Sequence, residues 1–413
     1  MSKYNKIVTF LVTILSFSFY LGLGSNLQFY QLILYPLTVL IFMINLIKKR
    51  SIQKNLGIVF LLLVLILVFF TITTLINKGT ISDLLVAFKS LGEPAMVVSL
   101  FMFVRKDEEL CQNNDIIKWF SKCLITMLII NTTWAFISMI SDVTTINLYF
   151  WGGEDSVALR ALTNGRYSGI FNQPMEAGTI YSIGLFCWYY LLKIKKQLKI
   201  GDFLALMFLT LGGLLSVSKV FLVIGFPMFL LVMLINKTFY RHFIKVLSWT
   251  ILFAIITLQL LVVWKGGEYL LRFWKPGQNL TTLVTAGRFG ENSQQKLLFN
   301  SVIEHNYLLG GGYGFSNVYD SLYFYFFSIG GIVGLILLLI LYLSFFKQII
   351  NQLKNSRNET IILLLLFFFI IMAGFGAPVL VLNRVDIVLW LLITIIYKQN
   401  YLNNQLTSRR TNK

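Results

Sequence analysis

The chain has 413 residues, of which 57% are hydrophobic and only 13% charged, about half the roughly 25% charged share of a soluble domain. Apolar runs of about 20 residues recur from end to end. They suit membrane-crossing helices and exclude a closed β-barrel, whose short strands alternate apolar and polar residues. The formal net charge of +18 lies mostly in short loops, so it reads as the positive-inside pattern of a membrane protein rather than a nucleic-acid surface.

The composition predicts one all-α polytopic integral membrane domain over residues 1–413, with about twelve transmembrane helices. In chain order the apolar runs fall at 7–24, 27–47, 56–76, 84–104, 116–140, 177–193, 201–217, 219–235, 246–264, 322–346, 360–376 and 378–397. MSKYNK and the run after it lack a small-residue cleavage site, which predicts a retained first helix. The basic segments KKRSIQK (48–54), KIKKQLK (193–199) and NKTFYRHFIK (236–245), the stretch with Lys347, Lys354 and Arg357, and the tail with Arg409, Arg410 and Lys413 all fall on one side. That side is expected to be the cytoplasm, with both termini in it. Two long extracytoplasmic loops, 141–176 and 265–321, then lie on the opposite face. Long loops between membrane helices, with short helices of their own, are where function concentrates. Cys111, Cys123 and Cys187 show neither pairing nor metal-ligand spacing.

In the first long loop, GRYSGIFNQPMEAG (165–178) holds Arg166 about ten residues before a helix. Gly165, Gly169 and Gly178 permit tight backbone approach, and Asn172-Gln173-Pro174 reads as a turn. Glu176 suits the positive end of a helix dipole. Arg166 has Glu154 and Asp155 as ion-pair candidates, and Glu176 is placed to act as a cap alone. LLSVSKVF (214–221) joins two apolar runs almost without a loop. Lys219 beside Ser216 and Ser218 either snorkels to the membrane boundary or helps to hold an anion.

In the second long loop, Asn292 or Ser293 is placed to cap a helix running to His305, with Leu297, Leu298, Val302 and Ile303 on its apolar side. GGGYG (310–314) ends it, and Tyr319-Asp320-Ser321 leads into the next run. The triple glycine is not a phosphate-binding Walker loop, because no GK[ST] follows. Arg288, Glu304, His305 and Asp320 are the ionisable candidates; a lone histidine and a helix-start aspartate also have ordinary structural roles. Tyr149, Phe150, Trp151, Trp274, Tyr307, Tyr313, Tyr319 and Tyr323 form an aromatic belt that also offers rings for stacking on sugars. Lys89 and Glu93, four apart, share a helix face and can neutralise one another, whereas Arg384 and Asp386, two apart, do not face each other. Arg384 is a further candidate for an anion site.

Arg166-Tyr-Ser-Gly169-Ile-Phe171-Asn-Gln-Pro174 followed by Gly178 resembles the R-x-x-G-x-F-x-x-P-N-x-x-G pattern of the O-antigen polymerase and O-antigen ligase superfamily. Ser216-Val-Ser-Lys219 resembles that family's serine-rich basic turn. Gly287-Arg288, the glycines at 310–314, Asp320-Ser321-Leu-Tyr and Gly330-Gly331-Ile-Val-Gly334 resemble its large outer loop and the following helix. The resemblance covers about 165–334. Met175 stands where the pattern has asparagine, and Lys219 where it has arginine. Ligases carry a histidine near the start of the helix after the large loop; here that neighbourhood offers Asp320, with His305 one segment earlier, which favours a polymerase.

The resemblance implies a multi-pass protein of the bacterial cytoplasmic membrane. Its implied reaction moves a glycan from undecaprenyl pyrophosphate to a sugar hydroxyl of a second lipid-linked unit, at the outer face and with inversion. Arg166, Lys219 and Arg288 would hold the pyrophosphate, with Arg384, Gly169 and Ser218 as secondary candidates. Cations stabilise the charge that develops on the departing diphosphate. With three of them no metal is required, and no cofactor is expected. Asp320 is the first choice of general base, His305 the second and Glu176 the third. Expected partners are the lipid-linked oligosaccharide and membrane lipid, with room for a chain-length regulator and none for nucleic acid. The alternatives are a ligase-like glycan transferase, a peptidoglycan polymerase of the shape-determining class and a lipid-linked oligosaccharide flippase; a flippase should show repeated halves and broken helices.

Overall fold

A computed structural model of the chain describes residues 3–23, 27–105, 115–195, 199–235, 294–315, 321–353 and 358–411, with residues 248, 251–252, 255–256 and 259 besides. The described residues are helices and turns; their only extended pairings are isolated bridges, Tyr20 with Gln28 and Ile52 with Phe103. In chain order the helices are α1 (Lys3–Leu15), α2 (Phe29–Ile47), α3 (Lys54–Ile76), α4 (Ile81–Met102), α5 (Ile116–Ile140), α6 (Thr144–Trp151), α7 (Val157–Thr163), α8 (Pro174–Lys195), α9 (Ile200–Leu215), α10 (Val220–Ile235), α11 (Gln294–Asn306), α12 (Leu322–Leu353), α13 (Asn358–Ala373) and α14 (Val385–Thr411).

Among the described residues, six helices are long and apolar enough to cross a membrane: α2, α3, α4, α5, α12 and the Val385–Gln405 part of α14. Helices α9, α10 and α13 are shorter and apolar. The side-chain pattern of α3 shows why water cannot be the surrounding solvent. Leu56, Val59, Leu63, Ile66 and Phe70 are buried, yet Leu61, Leu65, Val68, Ile72 and Leu75 are exposed on the opposite side. A helix apolar all round needs protein on one face and lipid on the other. The protein is therefore a multi-pass membrane protein.

Two boundaries differ from the expectation. The run at 7–24 predicts one helix, but α1 ends at Leu15. The Ser16 hydroxyl there donates to the Thr13 carbonyl, and the amides of Phe17 and Ser18 tighten the last turn onto Ile14 and Leu15. The run at 378–397 yields α14 only from Val385, because Arg384 takes a left-handed φ of 62° that no helix contains. The predicted span at 246–264 lies largely outside the described residues. So do Arg288 and Asp320.

The chain divides into two compact units, one of Met1–Leu37 with Asp115–Arg272, the other of Thr38–Asn114 with Phe273–Lys413. In the first unit α8 is central, its residues Ala177 to Leu192 all being buried against α5, α9 and α10. Lipid offers no hydrophobic drive for helix association, so close approach over small residues takes its place. A Cβ on Gly178 would fall 2.3 Å from the Ser218 side chain, and one on Gly225 would fall 1.9 Å from the Ser182 hydroxyl oxygen. In the second unit α14 packs on α4, and α12 on α3 and α13. Here α12 is broken at Gly331 (φ 58°, ψ −150°). The strand of chain at 307–312 lies along the break: Gly311 and Gly312 donate to the Ser328 and Ile329 carbonyls at 2.8 and 3.1 Å, and Ile332 and Val333 donate to Tyr307 and Leu308 at 3.0 and 3.2 Å.

Candidate functional site

The first long loop is folded by ordinary local chemistry. The Ser156 hydroxyl caps α7 by accepting from the Leu159 amide at 3.2 Å. At the other end Gly165 turns left-handed (φ 70°), so that its amide reaches Leu162 O at 2.9 Å and the Arg166 amide reaches Ala161 O at 3.0 Å. That pair of bonds is a Schellman motif, and glycine is the residue that adopts it without a Cβ clash. The turn delivers Arg166 and Tyr167 to the C-terminal end of α9. Tyr167 N donates to Leu215 O at 2.9 Å, and the Arg166 guanidinium donates through Nε to Ser216 O at 3.3 Å and through Nη2 to Val217 O at 3.1 Å. Three carbonyls at a helix end thus meet an amide and a cation, as the helix dipole favours.

The receiving turn is unusual. Val217 is a β-branched residue with a left-handed φ of 45°, a genuine outlier for its type. Its side chain is buried with Ala135, Met139 and Leu215, and Phe136, Tyr167 and Leu222 pack around them. Ser216 and Ser218 are buried on either side, the Ser216 hydroxyl donating to Gly213 O at 2.7 Å. Lys219 follows, half-buried, at the start of α10, whose first turns at Val220–Gly225 are wound as a π-helix. Such bulges are frequent at functional positions. The close seat of Gly178 on Ser218 locks the start of α8 to the same turn.

Downstream of Arg166, the loop is held from beneath. Asn131, near the middle of α5, accepts from Ile170 N at 2.8 Å and donates to Ser168 O at 3.3 Å and to the Tyr181 hydroxyl at 3.0 Å. Tyr181 in turn pairs with Thr132 at 2.7 Å, and Trp151 Nε1 donates to Gly169 O at 2.9 Å. Gly169 has φ 65°, and a Cβ there would fall 2.2 Å from Asn131 Oδ1. Further on, Gln173 precedes Pro174 at the first position of α8, where a missing amide costs nothing. Glu176, 1% exposed, accepts from Asn172 N at 3.0 Å.

Of the sequence candidates, Arg166, Lys219, Ser218, Gly169 and Glu176 are thus gathered around one end of α8, although 166 and 219 lie far apart in the chain. Glu176 accepts the Asn172 amide as a cap would. We expect Glu176→Gln, which keeps that acceptor, to leave the melting temperature of the detergent-purified protein nearly unchanged, and Glu176→Ala, which removes it, to lower it.

The other candidates lie in the second unit. His305, exposed at the end of α11, has Nε2 2.8 Å from Asn77 Oδ1, and Asn77 Nδ2 donates to Thr73 O and Gly310 O. On α11 only Val302 of the expected apolar side is buried, while Leu297 and Ile303 are exposed. Arg384 and Asp386 are both buried at the start of α14. Between Lys89 and Glu93, α4 widens into a π-turn at Phe88–Gly92, so the regular four-residue spacing does not apply.

The residues sequence reasoning missed are Asn131, Thr132 and Tyr181. An Asn-Thr-Thr triplet inside an apolar run was the available signal, because a polar side chain at membrane depth calls for a partner. No family model, curated protein or solved structure matches the chain.

Proposed function

We propose that the protein is a polysaccharide polymerase of the bacterial cytoplasmic membrane, a metal-independent inverting glycosyltransferase that uses a polyprenyl-pyrophosphate donor. One observation carries the reading: the two stretches that resemble the O-antigen polymerase and ligase motifs, 166–178 and 216–219, meet through the Arg166 guanidinium and the carbonyls of Ser216 and Val217. Two cationic residues are thereby fixed at one helix junction, with the start of α10 beside them. Basic loops on the opposite side support an extracytoplasmic position for this junction, with both termini in the cytoplasm.

In this mechanism Arg166 and Lys219 bind the diphosphate of the donor, a role that the resemblance also gives to Arg288. A hydroxyl of the second lipid-linked unit attacks the anomeric carbon from the side opposite the diphosphate, so the configuration inverts. The bond from that carbon to the diphosphate oxygen breaks, its electron pair leaves with the diphosphate, and the cations absorb the growing charge. The hydroxyl proton passes to a general base, the role for which the resemblance offers Asp320, His305 and Glu176 in that order.

Replacing Arg166 with alanine tests the reading. The expected result is loss of long chains with single repeat units retained on the lipid, at unchanged protein level in the membrane. Normal chain length would remove it. A second reading, a lipid-linked oligosaccharide flippase, is favoured by the break at Gly331, since transporters use discontinuous helices at their sites. Under that reading the same variant accumulates lipid-linked units facing the cytoplasm.

A further inference from the structure

An open cavity of about 280 Å³ lies beside the Arg166 loop, and the diphosphate site does not account for it. Ser138, Asp142, Thr144 and Asn147 supply its polar wall from the end of α5 and the start of α6, and Leu162 and Tyr167 supply apolar surface. We propose that this cavity is the subsite for the sugar ring carried next to the pyrophosphate, an inference that rests on the polymerase reading above.

Four observations point to a sugar. The wall matches the two surfaces of a pyranose, a rim of hydroxyls and an apolar C–H face, as an acyl chain or an inorganic anion would not. The polar groups are already oriented: Asn147 accepts from Trp134 Nε1 at 2.7 Å and donates to Ser138 Oγ at 3.2 Å, and Asp142 Oδ1 accepts from Thr144 N at 3.1 Å. Side chains fixed in advance lose little rotamer freedom when a ligand binds. The volume sits just under the roughly 300–1,000 Å³ of small-molecule pockets, which suits one or two rings and not a whole repeat unit. Finally, the cavity lines up with the cation by covalent connection. Tyr167 follows Arg166 directly, and both are pinned to the end of α9 by backbone carbonyls.

Charge divides the two subsites. The Thr144 hydroxyl and amide beside Asp142 hold its carboxyl below the usual range. It is therefore ionised at neutral pH and repels the diphosphate while accepting bonds from sugar hydroxyls.

The test uses the full-length protein in detergent and two probes. One is undecaprenyl pyrophosphate without sugar; the other is the same lipid carrying the repeat unit, extracted from cells lacking this protein. Asp142→Asn removes the charge but keeps an acceptor for the Thr144 amide; Tyr167→Leu removes the ring at similar bulk. Asp142→Asn is expected to weaken binding of the glycosylated lipid about tenfold, as the loss of a bond to a charged group does; Tyr167→Leu is expected to weaken it about fivefold through the lost ring contact; neither changes binding of the sugar-free lipid. Thermal unfolding of each variant checks the fold, and if Asp142→Asn does not fold, Tyr167→Leu decides. Equal weakening of both probes, or of neither, overturns the sugar subsite. Arg166→Ala should weaken both probes; if it spares the sugar-free lipid, the diphosphate reading fails while the result at Asp142 and Tyr167 stands by itself.

Discussion

Gly331→Ala should abolish the folded protein. The backbone there lies at φ 58°, ψ −150°, a region open in practice to glycine alone. A Cβ would sit 2.4 Å from the Leu308 carbonyl oxygen and 2.6 Å from the Gly310 nitrogen, and neither backbone atom can rotate away. Forcing the chain apart would break the four bonds that 307–312 make across the break. Each amide or carbonyl left unpaired in lipid costs several kcal/mol, on top of about 1–3 kcal/mol of backbone strain. The measurement is the yield and melting temperature of detergent-purified protein. Gly201→Ala is the control, since a Cβ at Gly201 meets nothing within 4 Å. A Gly331→Ala protein that melts within ~2 °C of the parent, the shift of a sub-kilocalorie change, would show that the break is not held as described.

The second large effect belongs to Asn131. Asn131→Leu keeps the volume but removes the partner of the Ile170 amide, leaving it unsatisfied at about 1–3 kcal/mol, and takes one bond each from the Ser168 carbonyl and the Tyr181 hydroxyl, which keep Phe171 N and Thr132. The 168–170 segment is then free to shift, and Arg166 lies only two residues before it. If the polymerase reading holds, polymer length should fall as far as it does for Arg166→Ala, although Asn131 lies beneath the loop. Gly169→Ala should act alike, by driving a methyl into Asn131 Oδ1. Because the two sites touch, Asn131→Ala with Gly169→Ala should cost less than the sum of the single changes. Long chains from the Asn131→Leu protein, or strict additivity in the pair, would refute the support proposed for this loop.

These two sites also show what the sequence could and could not convey. Apolar runs announced the membrane class, and the run at 116–140 coincides with α5 because length and composition alone set a span. The turn chemistry was legible too: Gly165, Gln173-Pro174 and Glu176 occupy the positions their backbone preferences dictate. Hydropathy carried no sign of the break at Gly331, because Ile-Gly-Gly-Ile reads as continuous helix until another segment supplies its missing bonds. Arg166 offered two acidic neighbours in sequence, yet its guanidinium hydrogen-bonds to carbonyls fifty residues away. Such a contact depends on how α7 and α9 end, which no local pattern encodes. Glu176 was read both as cap and as base, and only the 3.0 Å bond from Asn172 favours the first.

The left-handed Val217 has an implication for descent. A β-branched side chain in that conformation is costly, roughly 1–2 kcal/mol, and here it is held by a guanidinium on its carbonyl and by apolar neighbours around its methyls. Positions 166 and 217 should therefore drift together among related chains. A lineage that loses the arginine would be expected to acquire glycine at 217, and one that keeps it is free to retain the bulkier residue.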